Sequence, residues 1–167
     1  MRVEVKQNNS QRILRQLIAL ERQQVTIGVH GDAGTRDGSS QTNAEIAAVH
    51  EFGDANIPER SFLRAGLDTA AETVPIDLSK QIEDMIDGGA MTPKKIATRG
   101  GVLILGAVRE TIAAGIDPEL SEQTKAARDA KGSNSTGIAS NIGAYTPLVD
   151  TGQLWQSLVF RVSEANS

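Results

Sequence analysis

The residues whose types and spacing come closest to chemistry are Asp150, Thr151 and Gly152, preceded by the apolar pair Leu148 and Val149. Two apolar residues followed by Asp-Thr-Gly is how a dimeric aspartic protease presents its catalytic carboxylate, the second copy coming from a partner subunit. Such a fold needs many strands after the aspartate, and 15 residues follow Gly152. The competing expectation is that Asp150 caps the short helix beginning just after it, because an aspartate side chain accepts hydrogen bonds from first-turn amides. His50 and Glu51 open like a zinc-protease helix, but that motif needs a second histidine four residues on, where Asp54 stands. Two histidines and no cysteine make a weak ligand set, and no phosphate loop, dinucleotide fingerprint or nucleophile elbow occurs. The expectation is therefore a protein that is not an enzyme, with no catalytic residue, no metal and no cofactor. His50 reads as a helix residue hydrogen-bonded at a junction and titrating near neutral pH. Trp155, with Tyr145 nearby, reads as an anchor in a core or interface.

These residues fall in two dense segments, Asn43 to Arg64 and Thr146 to Ser157, with the two longest helical patterns between them. Ser10 is expected to cap a first helix running to about Arg22, with Ile13, Leu14, Leu17 and Ile18 on one apolar face. From Val25 the period changes to two and predicts a strand to His30. Gly31 to Gln41 reads as a mobile loop. Thr42 and Glu45 have capping-box spacing for a short helix that Gly53 stops. Pro58 is expected to restart a helical stretch through Phe62, Leu63, Leu67 and Val74, which Pro75 kinks or splits before it ends at Gly88 and Gly89. Thr92 and Pro93 begin another helix, reaching about Gly115, whose centre (Gly100 to Gly106) is apolar on most sides with glycines permitting close backbone approach. Ser121 to Ala144 has few large apolar residues and reads as a long exposed, flexible excursion that orders against a partner. Leu158 to Val162 closes the chain as a strand. The fold class expected is α+β: one domain over 1–167, with a small antiparallel or mixed sheet packed by the N-terminal helix and two longer helices, plus the flexible excursion at 121–144.

Composition bounds the partners. A chain of 167 residues is long enough to bury a core, and with aromatics at 3% that core must come from Ala, Leu, Ile and Val. The net charge of −4, without a long basic run, argues against tight nucleic-acid binding. The first 22 residues carry Arg2, Lys6, Arg12, Arg15 and Arg22 against Glu4 and Glu21, a positive end on a negative chain. No apolar run is long enough to span a bilayer and no signal-peptide pattern is present, which implies a cytoplasm-like compartment and no membrane partner.

Three short patterns occur in order: Glu51-Phe52-Gly53; Ile57-Pro58 with Arg60, Phe62 and Leu63; and Leu148-Val149-Asp150-Thr151-Gly152 with Leu154 and Ser157. In these the sequence resembles the tail-completion and head–tail joining proteins of tailed bacteriophages, over roughly residues 25 to 160. Ser61 stands where proline is common in that family, and the Ser121 to Ala144 segment is long. The resemblance implies a structural virion protein of the phage neck, a tail-completion or tail-terminator subunit assembled in the host cytoplasm. It implies a closed homo-oligomeric ring of six, contacting other neck and tail-tube proteins and letting DNA pass without specific binding. His50, Glu51, Phe52, Gly53, Pro58, Arg60, Phe62, Leu63, Asp150, Thr151, Gly152, Leu154 and Trp155 are the junction or interface candidates. Arg60 is expected to pin the two segments by a bidentate contact to Glu51 or Asp150. The alternatives are the dimeric aspartic protease using Asp150 and a monomeric host-directed binding module.

Overall fold

The computed structural model describes residues 9–31, 34–35, 40–131, 142–143 and 145–165. The chain is α+β: α1 (Ser10–Glu21), β1 (Gln23–Val29), α2 (Asn43–Phe52), α3 (Phe62–Asp87), α4 (Pro93–Ala114), α5 (Glu122–Lys131), α6 (Gln153–Ser157) and β2 (Leu158–Glu164). The two strands pair antiparallel from Gln23 opposite Glu164 to Val29 opposite Leu158. Val25, Ile27 and Val29 face Val162, Phe160 and Leu158 across the pair, so the period-two pattern sets the register.

The helix α4 crosses this sheet and lies along α3, and two glycines make both approaches possible. A Cβ on Gly101 would run into the Phe160 ring, and one on Gly66 would sit 2.6 Å from the Val108 Cα. The long apolar centre of α4 is thus explained by partners on two sides. Of the kink or split expected at Pro75, the split does not occur: the helix is continuous to Asp87. Proline removes one backbone hydrogen bond. Phe62, Gly66, Ala70 and Val74 before it and Met85 after it are all buried, so packing holds both halves in one rod. At its end Gly88 takes the left-handed conformation (φ 88°), and the Arg12 guanidinium donates to the Met85 and Ile86 carbonyls at 3.2 and 2.6 Å. A cation on terminal carbonyls satisfies orphan acceptors and complements the helix dipole, tying α1 to α3.

The apolar face that periodicity gives α1 is largely turned to solvent. Leu14, Leu17 and Ile18 are 58%, 39% and 41% exposed, and the half-buried side of the helix is Arg12, Ile13, Gln16, Ala19 and Leu20. Within the segment read as an excursion, Glu122–Lys131 is helical and Arg128 is buried; residues 132–141 and 144 lie outside the described residues. The same holds for 32–33 and 36–39 of the expected loop, whose Thr35 bridges to Thr42, and for the charges of residues 1–8.

The capping box at α2 forms as its spacing predicts. The Glu45 amide donates to the Thr42 hydroxyl at 3.1 Å, and the Glu45 carboxylate accepts from the Thr42 amide at 2.8 Å and from its hydroxyl at 3.0 Å. These bonds, the backbone amide first, lower the Glu45 pKa from its ordinary 4.5. A folded-state pKa below the unfolded one means that the carboxylate supports the helix above about pH 4.5 and that this support is lost as acid protonates it. An NMR titration should show Glu45 titrating below an unfolded reference, and Thr42→Ala, which removes the hydroxyl and keeps the amide, should move it part of the way back. Coincident titration of the folded protein and the unfolded reference would contradict the box.

Candidate functional site

The two dense sequence segments meet in space. Ala47 and Phe62 from the first and Leu148, Val149 and Leu154 from the second form one buried cluster with Leu158 of β2, bridged by Val108 and Ile112 of α4. Leu63 and Trp155 pack against its edge. Gly53 makes the return from α2 possible: its φ is 73°, and a Cβ there would lie 2.8 Å from the Glu59 amide nitrogen. Asp54 then accepts the Asn56 and Ile57 amides at 2.7 Å each, an Asx turn that brings the Arg60 amide to the His50 carbonyl at 2.7 Å.

Glu51 is 3% exposed and reaches across this turn to the start of α3. Its carboxylate accepts the Leu63 amide at 2.8 Å and the Arg64 amide at 3.2 Å, which is what a side-chain cap does, supplied from another helix. Ser61, the residue preceding α3, makes no side-chain cap bond of its own. The Arg64 guanidinium closes the arrangement with bonds to Glu51 Oε1 at 3.0 Å and Glu59 Oε1 at 2.6 Å, and lies 5.5 Å from the Phe52 ring centroid. Glu51 is therefore paired with Arg64, not with Arg60.

Arg60 is buried with a different task. Its Nε donates to the Pro118 carbonyl at 2.8 Å and an Nη to the Glu119 carbonyl at 3.1 Å, a fork gripping the turn between α4 and α5. Arg128 does the same on the other side, one Nη donating to the Thr146 carbonyl at 3.1 Å and to that of Val149 at 2.9 Å. Its Nε stands 3.9 Å from Asp150 Oδ1. Burial pushes both guanidinium pKa values down; at Arg60 the like charge of Arg128 adds to this, and at Arg128 the nearby Asp150 opposes it. Both remain cations, since a guanidinium starts far above neutral pH.

Asp150 does not cap α6. Gly152 is the cap residue, left-handed at φ 79° and without a side-chain cap bond, so the glycine is required by the backbone. Leu148 is a non-glycine at φ 67°, a strained conformation held by its burial among the cluster residues. Arg109 fixes the far side, donating to the Leu158 carbonyl at 3.1 Å with its guanidinium 5.9 Å from the Trp155 ring centroid.

Between these elements lies a cleft of 560 Å3, bordered by His50, Pro58, Arg60, Arg128, Asp150 and Leu154. Of the sequence candidates, Glu51, Phe62, Leu154 and Gly152 are buried, His50, Gly53, Leu63, Asp150 and Trp155 are half-buried, and Phe52, Pro58 and Thr151 are exposed. Sequence reasoning missed Arg64, Arg109 and Arg128. Arg64 had a signal, a cation two residues into a helix with a buried glutamate before it; Arg128, in a polar stretch, had none. Among the described residues no group of His, Cys, Asp or Glu is placed to hold a metal ion, and no helix is long and apolar enough to cross a membrane. No protein-family model, curated protein or solved structure matches this chain.

Proposed function

We propose that this protein is a structural subunit of a phage neck, a tail-completion or tail-terminator component that forms a ring and joins the tail to the head. The observation that carries the reading is the convergence of the three short patterns on one junction: Glu51 caps α3, Arg60 grips the 118–119 turn, and Leu148, Val149 and Leu154 share a core with Phe62. Residues of these types could have been reactive groups, yet Glu51 accepts two backbone amides and the Arg64 guanidinium, Arg60 donates to two backbone carbonyls, and both fix a shape. An assembling subunit needs a rigid shape more than an open catalytic group. The negative chain suits a channel wall past which DNA slides. The protease alternative draws no support from Asp150, whose Oδ1 accepts no hydrogen bond among the described residues and faces a guanidinium.

The test is the protein's copy number in mature particles, by quantitative mass spectrometry with immunolabelling. The expected result is six copies per particle, labelled at the neck. Absence from particles overturns the proposal and favours the host-directed binding module.

A further inference from the structure

Two helices turn faces to solvent that do not look like ordinary surface. On α1 the outward side chains include Leu14, Leu17 and Ile18, flanked by Arg15 and Arg22, with Glu21 at the end of the row. On α3 the residues Asp68, Glu72, Ile76, Ser79, Glu83 and Asp87 are all exposed and follow one another at intervals of four or three, a single stripe opposite the buried Phe62, Gly66, Ala70 and Val74. Ile76, in the middle of the acidic stripe, is 64% exposed. Lys80 lies at its border.

The charges of the two faces are left over in a specific way. Among the described residues the ion pairs join Arg64 to Glu51 and Glu59, Arg99 to Asp77, Lys125 to Glu119 and Glu122, and Arg128 to Asp150. None uses Arg15, Arg22, Asp68, Glu72, Glu83 or Asp87. A basic face with three exposed large apolar side chains and an acidic face with one thus sit on different helices of one chain, each supplying what the other lacks. At 1.5 Å per residue α1 is roughly 18 Å long, short enough to lie within the stripe of about 28 Å from Asp68 to Asp87.

We infer that the outward face of α1 in one copy docks on the outward face of α3 in a second copy, Leu14, Leu17 and Ile18 covering Ile76 while Arg15 and Arg22 meet the carboxylates beside it. The contact joins two different patches, so it repeats from copy to copy and closes into a ring where the rotation permits. Burying the apolar groups supplies affinity, and the opposed charges set orientation and suppress pairing of α3 with α3. The inference names the subunit contact of the ring proposed above, but it stands on these two faces and is testable without particles, so its failure and that of the neck reading are separately visible.

The chain has no cysteine, so introduced thiols react alone. Leu17→Cys protein and mass-tagged Ile76→Cys protein are mixed at millimolar concentration and joined with a short bismaleimide. The expected product is a mixed dimer, absent when Glu110→Cys replaces Ile76→Cys, lost with Arg15→Glu plus Arg22→Glu, and recovered when those reversals meet Asp68→Arg plus Glu72→Arg on the partner. Circular dichroism checks that each variant is folded. No mixed dimer above the Glu110→Cys control, a mixed dimer indifferent to the charge reversals, or a predominant dimer of two Leu17→Cys chains overturns the assignment.

Discussion

Phe62→Ala should lower the stability of the isolated subunit by about 3–5 kcal/mol, the range for emptying a fully buried aromatic site. Phe62 is 0% exposed within a single chain, surrounded by the cluster of Val108, Ile112, Leu148, Val149, Leu154 and Leu158. The loss should therefore be independent of protein concentration, because no second copy is needed to bury the ring. For a chain of this length each kcal/mol moves the melting temperature by roughly 2–4 °C, so thermal unfolding should shift by on the order of 10 °C. Phe52→Ala, ten residues earlier, is the control: that ring is 68% exposed and touched by a cation, so its loss should cost under about 1 kcal/mol. Equal effects of the two substitutions, or a Phe62→Ala loss that appears only at concentrations where subunits associate, would contradict the burial of Phe62 inside the monomer.

The difference between these two phenylalanines also marks where sequence reasoning stops. Local signals were legible: the Thr42 box, the Gly53 and Gly88 stops, the Thr92-Pro93 start and the alternation of both strands all depend on a few adjacent residues. Periodicity also located the apolar face of α1, but a pattern states which residues share a face and not whether anything covers it. Leu14, Leu17 and Ile18 share that face and are exposed, while Ile13 beside them is half-buried. The partner of Arg60 was illegible for a related reason. A buried guanidinium needs acceptors, and backbone carbonyls, which every residue carries, serve as well as carboxylates. The sequence could show that Arg60 needed a partner and could not show that a turn 58 residues downstream would provide it. Continuity of α3 through Pro75 was hidden likewise, because the packing against α4 that holds both halves is a long-range fact.

Glu51→Ala and Arg64→Ala remove the two ends of one ion pair, and the structure predicts very unequal results. Glu51 is 3% exposed and accepts two amides at the start of α3 as well as the guanidinium, so its removal uncaps a 26-residue helix in a place water reaches poorly. Loss of a side-chain cap costs about 1–2 kcal/mol, and leaving buried amide donors unsatisfied brings the expected total to about 2–3 kcal/mol. The Arg64 side chain is 54% exposed, and its ion pair is screened by solvent and shared with the exposed Glu59. Arg64→Ala leaves the Glu51 carboxylate on both amides, so it should cost under about 1 kcal/mol. Glu51→Gln, which keeps an acceptor oxygen and gives up the charge, should fall between the two. Urea denaturation of the three variants gives the order directly. Equal costs for Glu51→Ala and Arg64→Ala would mean that the ion pair and not the cap holds α3 to the end of α2, and the contribution of Glu51 to the junction would have to be reassigned to Arg64.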